Sequence, residues 1–226
     1  MRAALAEGIG TALLLAAIVG SGIMGERLAQ GNVALALLAN SLATGFALIA
    51  LIVAFAGRSG AHFNPIVSLA FAIRAGFPAR RLALYIVAQV IGAIVGVLAA
   101  HAMFELPVLQ VSGTARTGVG QWISEAVAAF GLVLVVLRCS GQKPWTAPLA
   151  VGAYIAAAYW FTASTSFANP AVTLARGFTA TFSGIEPAGI PAFVAAQLLG
   201  GGVAAWTDRY LASGVTPAMD PKRGEP

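Results

Sequence analysis

Apolar residues come in long runs broken by short polar punctuation, and the runs fall into two length classes. Six reach or approach the ~20 residues that a helix needs to cross a hydrocarbon core of roughly 30 Å. They are Leu5–Met24, Val33–Ala56, Leu82–Met103, Trp122–Leu137, Trp145–Thr165 and Ile190–Tyr210, the fourth being the shortest. Two further runs, Pro65–Ile73 and Pro170–Ala180, reach only about halfway at ~1.5 Å per residue. Each starts at an Asn-Pro pair, a helix-start signal, because Asn can cap free backbone N–H groups and Pro is pre-set for the first helical turn. Irregular backbone at membrane depth is tolerated only inside protein or beside a water-filled cavity. The short runs are therefore predicted to be re-entrant half-helices.

The pattern repeats. His62-Phe63-Asn64-Pro65-Ile66-Val67-Ser68-Leu69-Ala70 returns as Phe167-Ala168-Asn169-Pro170-Ala171-Val172-Thr173-Leu174-Ala175. Glu7 in the first span has a counterpart in Glu125 of the fourth, and Ala88-Gln89-Val90-Ile91-Gly92 one in Ala196-Gln197-Leu198-Leu199-Gly200. The offsets are 118 between the glutamates, 105 between Asn64 and Asn169, and 108 between Gln89 and Gln197. Three landmarks in one order at nearly one spacing predict two halves, roughly 1–110 and 118–226, within a single channel domain covering 1–226. An odd number of spans per half forces the second half to be inverted, with sites near the midplane.

Composition agrees with the span count. Hydrophobic residues make up 59% and charged residues 9%, more apolar surface than a soluble domain of this length could cover. The net charge of +5 does not point to nucleic acid, since the basic residues sit in short loops beside the spans. With both termini cytoplasmic, ten basic residues fall inside and only Arg27, Arg116 and Arg176 outside, which the positive-inside rule favours. Glu7 lies within the first apolar run, which reads as a retained span rather than a removed leader. One cysteine, Cys139, rules out an intramolecular disulfide. No cofactor or metal site and no catalytic residue is expected.

In this topology the half-helices enter from opposite sides and their amino-terminal ends meet. Each end carries roughly +0.5 of an elementary charge, and the carboxamides of Asn64 and Asn169 can donate inward while their oxygens cap. Water or a small hydroxylated solute can accept those hydrogen bonds. A cation meets a positive potential and a dehydration cost.

These phrases, with Ser59-Gly60-Ala61-His62-Phe63 before the first, the span-opening glutamates and the Ala-Gln pairs, resemble the major intrinsic protein family, the aquaporins and aquaglyceroporins. The resemblance covers essentially the whole chain. It implies an all-α bundle of six transmembrane helices and two re-entrant half-helices, a pore in each protomer, a homotetramer in the cell membrane, and small neutral solutes as the cargo. It implies a central constriction at Asn64, Pro65, Ile66, Asn169, Pro170 and Ala171, and loop-bracing roles for Glu7 and Glu125. A proton relay is the alternative for acids in apolar spans, but each glutamate has a symmetric counterpart and no basic partner in its span, which favours the structural role.

Two departures change the expected chemistry. Ile66 stands where the family usually has Ala, which predicts a narrower or drier centre. Val172 stands where the family usually places an arginine of the outer filter. Counting without gaps puts the other filter positions at Thr44 (with Phe46 competing) and Ala157, and Ser166 completes the set. Such a filter would be wide, weakly polar and uncharged. The stretch Tyr159–Phe167 resembles a bacterial subgroup associated with arsenic-resistance operons, which points to uncharged metalloid acids and polyols besides water.

Other polar residues carry weaker signals. His62 is read either as a pore-lining, pH-sensing group or as a fixed loop brace. His101 is placed at the interface, Arg176 in an outer vestibule or among headgroups with replacement of the missing filter arginine as its alternative, and the tail Pro217–Pro226 as loose chain. Gly92, Gly96 and Gly200–Gly202 are expected to permit close helix crossing. A strictly water-selective pore is one alternative. An ion-coupled transporter also uses inverted repeats, but apart from the bracing glutamates only Asp208 offers an intramembrane acid. Ser59 and His62 lack the strand–Ser–helix elbow of a hydrolase.

Overall fold

Polar caps start the helices where the sequence places them. Asn32, Asn64 and Asn169 each accept a backbone N–H at the head of a helix, and the last two are followed by Pro in the first turn. The computed structural model describes residues 1–213, and among them it contains helices and no strand. In chain order these are α1 (Arg2–Leu28), α2 (Val33–Ser59), α3 (Pro65–Ala75), α4 (Ala79–Met103), α5 (Val119–Cys139), α6 (Thr146–Phe161), α7 (Pro170–Ala175) and α8 (Ile190–Ser213). Short 3-10 turns follow α7 at Arg176–Phe178 and precede α8 at Pro187–Gly189. The tail Pro217–Pro226 lies outside the described residues.

Among the described residues, five helices are long and apolar enough to cross a membrane. The span expected at Trp145–Thr165 is shorter: α6 has 16 residues, about 24 Å at ~1.5 Å each. Beyond it the chain turns, with Thr165 N–H donating to the Thr162 carbonyl, and leads to α7 through residues of positive φ. The second half-helix is also shorter than Pro170–Ala180, becoming 3-10 at Arg176. The first is longer than Pro65–Ile73, ending at Ala75 beside a left-handed Gly76. Large apolar side chains such as Leu13, Phe46, Ile91, Leu199 and Trp206 stand exposed around the outside, as a lipid-facing surface requires.

α1 packs along α4, α5 along α8, and α2 against α6. The first two contacts are very close because glycine faces backbone. A Cβ at Gly92 would land on the carbonyl of Gly8, and one at Gly200 on the carbonyl of Ala126. Small residues at such crossings let helix backbones approach and gain dispersion contacts. Ile66 does not point into the open centre. It packs against Gly201 of α8, whose counterpart at the 108-residue offset is the buried Ala93 of α4. The larger side chain on α3 is thus matched by a smaller one on α8.

Candidate functional site: two capped half-helices beside a lined cavity

The loops before α3 and α7 hold backbone conformations that non-glycine residues rarely adopt. Ala61 and Phe63 have φ of 51° and 49°, and Ser166 and Ala168, each 105 residues on, have 50° and 47°. Each such residue costs on the order of 1–3 kcal/mol. A buried glutamate offsets that cost in both loops. Glu7 accepts from the backbone N–H of His62 at 3.0 Å and of Phe63 at 2.6 Å, and from Gln89 Nε2 at 2.8 Å. Glu125 accepts from the N–H of Phe167 and of Ala168, each at 2.9 Å, and from Gln197 Nε2 at 2.6 Å. Hydrogen bonds to a charged group contribute about 1.5–3 kcal/mol each, comparable to the strain of the positive-φ residues, Ala61 and Phe63 in the first loop and Thr165, Ser166 and Ala168 in the second. Both carboxylates have zero exposure.

The glutamines extend the brace to the half-helices. Gln89 Nε2 also donates to Ser68 Oγ at 2.9 Å, and Gln197 Nε2 to Thr173 Oγ1 at 2.7 Å. Ser68 and Thr173 therefore belong to the site, although sequence reasoning gave them no role. Their presence in both copies of the repeated phrase was the signal for them. Glu7 fixes the Gln89 amide nitrogen toward Ser68, so the Ser68 oxygen accepts there, and His62 Nδ1 lies 3.0 Å from the same oxygen. The His62 ring lines the cavity.

The two caps clasp each other. Asn64 Oδ1 accepts from Ile66 N–H at 3.0 Å, while its amide donates to the carbonyl of Ala168 at 2.8 Å. Asn169 Oδ1 accepts from Ala171 and Val172, and its amide donates to the carbonyl of Phe63 at 2.8 Å. Each amide nitrogen carries two hydrogens. The clasp uses one, and the other is available to whatever occupies the space beside it.

That space is an elongated cavity of about 240 Å³. Thr44, Leu48, Ile52 and Ala56 of α2 line it at four-residue spacing, as do Ala147, Val151, Ile155 and Tyr159 of α6. Either stripe spans twelve residues, so the cavity runs for about 18 Å along the helices. α1 contributes Leu14 and Ile18, and α5 contributes Leu132 and Val136 at the glutamates' offset of 118. Apart from Thr44 and Tyr159, these walls are apolar. Polar groups are concentrated on the side formed by Asn64, Asn169 and the loops before them. One mouth is rimmed by Cys139–Pro144.

Around Tyr159 the structure sorts the candidate residues. Thr44 is buried, lines the cavity and lies 3.2 Å from the Tyr159 hydroxyl. Phe46 stands 67% exposed on the outside. Ala157 is exposed and does not line the cavity; Tyr159, two residues on, does. Val172 lines the cavity, and Ser166 joins it with a hydroxyl that has no protein partner among the described residues. Pro65, Ile66, Pro170 and Ala171 shape the half-helix starts from behind and are absent from the cavity wall.

Two basic residues depart from expectation. Arg176 does not sit in a vestibule or at headgroups: it is buried, lines the cavity, donates from Nε to the Ser183 carbonyl, and holds its guanidinium 3.4 Å above the Phe167 ring centre. His101 is not interfacial. It is fully buried, with Nδ1 2.9 Å from the Val108 carbonyl and Nε2 2.8 Å from Thr179 Oγ1. Arg116, in the loop between α4 and α5, reaches the Gly184 carbonyl at 2.8 Å and the Phe167 ring at 5.1 Å. Burial pushes its pKa below the ordinary arginine range, and the Glu125 charge pulls the other way.

Comparison with known proteins places this arrangement. The chain is 53% identical to Aquaglyceroporin AqpS of Rhizobium meliloti over 218 residues, covering 96% of this chain and 93% of that one. It is 32% identical to Probable aquaporin AqpM of Archaeoglobus fulgidus, covering 76% of this chain and 75% of that one. Its fold matches the X-ray structure of the aquaglyceroporin from Plasmodium falciparum with a TM-score of 0.73 at 19% identity, over 94% of this chain and 97% of that one. The family model described as Major intrinsic protein matches residues 1–168, stopping one residue before the second Asn-Pro pair. The braced loops, clasped caps and lined cavity thus stand in a chain that belongs to the major intrinsic protein family.

Proposed function

We propose that the cavity beside Asn64 and Asn169 is the permeation path of a passive channel, and that it carries glycerol-sized hydroxylated solutes and uncharged metalloid acids as well as water. Family membership makes the chain a multi-pass membrane channel for small neutral solutes, and not an enzyme. The solute range is our reading. The observation that carries it is the valine at 172: an aliphatic side chain lines the same cavity as Thr44, Tyr159 and the Ser166 hydroxyl, which has no protein partner among the described residues. A wall with one apolar flank and one row of donors and acceptors suits a solute whose carbon side is dry and whose hydroxyls need partners. The name of the Rhizobium meliloti relative, an aquaglyceroporin, supports the same range.

The half-helix starts and the amide donors oppose cations, because a cation must lose water against a positive potential. In this reading Glu7, Glu125 and His62 hold the loops, and Asn64 and Asn169 form the central polar point. An ion-coupled transporter is disfavoured by how the acids are used. Both glutamates are filled with hydrogen-bond donors, and Asp208 lies 3.6 Å from both Arg74 and Arg138. We further infer a homotetramer in the cell membrane with both termini cytoplasmic, from the family resemblance and from the basic residues' bias toward that side.

Stopped-flow light scattering of proteoliposomes tests the solute range. Swelling in glycerol and in arsenous acid gradients at rates well above empty vesicles supports it. Water flux without either larger solute overturns it in favour of a water-selective pore.

A further inference from the structure

The two halves place cavity-lining residues in the same register, with one exchange of chemistry. Positions 62, 64, 67 and 71 of the first half line the cavity, and so do 167, 169, 172 and 176, each 105 residues later. The pairs Asn64/Asn169 and Val67/Val172 are alike. The pairs His62/Phe167 and Phe71/Arg176 are not. In the first half the His62 ring stacks on Phe71, with centres 4.7 Å apart and planes 8° from parallel. In the second half the Arg176 guanidinium lies over Phe167 instead. Arg176 thus occupies the place of a pore-wall residue on the half-helix side, not that of a loop residue.

Its fixation is thorough. The Phe167 face holds the guanidinium from below by cation–π attraction, and Nε is spent on the Ser183 carbonyl. Among the described residues no protein acceptor engages its two terminal nitrogens, and Arg176 lines the cavity. A buried guanidinium with unspent donors is costly, and water or solute oxygen in the cavity is the acceptor at hand.

We propose that Arg176 is the specificity-determining cation of this pore, donating from its terminal nitrogens to solute oxygens and turning cations away, one helical turn beyond Val172, where the aliphatic side chain can do neither. The proposal rests on the channel reading above. A solute with several hydroxyls gains more from these donors than water does, and a monovalent cation of similar size is repelled.

The test compares native, Arg176→Met and Arg176→Lys chains in proteoliposomes, reading the glycerol-to-water flux ratio and methylammonium leak. Met keeps similar bulk without charge or donors. It is expected to lower the flux ratio about tenfold, the equivalent of losing one charged hydrogen bond, and to admit methylammonium. Lys is expected to keep methylammonium out and to lower the ratio by a smaller factor, having no fork to serve Ser183 and solute together. A folded Met variant with native ratio and native exclusion overturns the proposal. If Met does not yield folded protein, Lys decides: a native ratio there overturns it equally. Absence of both fluxes in the native chain would instead remove the channel reading itself.

Discussion

Asn64 donates a 2.8 Å hydrogen bond to the carbonyl of Ala168, and that carbonyl belongs to the residue immediately before the other cap, Asn169. Asn169 returns the same bond to Phe63, immediately before Asn64. Two half-helices from distant parts of the chain are thereby locked tip to tip, and each cap both starts its own helix and positions the other.

Replacing either cap by Asp is expected to break this lock. A carboxylate keeps the capping acceptor but loses the N–H that serves the opposite carbonyl, and it brings a negative charge to the tips. Loss of stability of about 1–3 kcal/mol and reduced glycerol flux are expected in Asn64→Asp and Asn169→Asp alike. Denaturation in detergent and vesicle swelling check this. Native stability and flux in both variants would contradict it.

Glu7 and Glu125 should tolerate Gln far better than Leu. Gln retains one acceptor oxygen for the three donors that converge on each site, whereas Leu leaves every one unpaired, at about 1–3 kcal/mol per buried group. Thermal unfolding should rank native above Gln above Leu at both positions. Equal loss of flux in Gln and Leu variants of unimpaired stability would point to a proton-carrying role.

Much of this brace was legible in the sequence because polar residues inside apolar spans are conspicuous. Asn-Pro reads as a helix start wherever it occurs, and Glu7, Gln89, Glu125 and Gln197 had no reason to be in a span unless something there needed them. Rotation of helices about their axes was not legible. Gapless counting selected Ala157, yet two residues turn an α-helix by about 200°, which moves a side chain from the cavity to the outside; Tyr159 faces inward instead. Arg176 was misplaced because its setting depends on Phe167 and Ser183, which the fold brings beneath and beside it. Ile66 was expected to narrow the centre, but its partner Gly201 lies in another helix, and no local pattern ties the two.

Alanine at Gly92 or Gly200 is expected to be costly although the change is a single methyl. The new Cβ would strike the carbonyl of Gly8 or Ala126, respectively, and force α1 from α4 or α5 from α8. Overpacking of this kind typically costs about 1–3 kcal/mol. Alanine at Gly57, which meets nothing within 4 Å, serves as the control and should leave the unfolding midpoint near native.

Val172→Arg tests the register of the second half-helix. The longer side chain would enter the cavity one turn from Arg176, narrowing it and adding a second guanidinium. Glycerol flux is expected to fall about tenfold, a barrier of ~1.4 kcal/mol, with water flux better retained. Unchanged flux of every solute would show that position 172 lies away from the path.

In the channel reading a fixed, lined cavity lets neutral solutes pass without coupling. Initial glycerol flux into proteoliposomes, measured against glycerol concentration with and without sodium and proton gradients, decides this. Flux is expected to rise linearly with concentration and to ignore both gradients. Saturation at low concentration together with dependence on either gradient would mark a transporter instead.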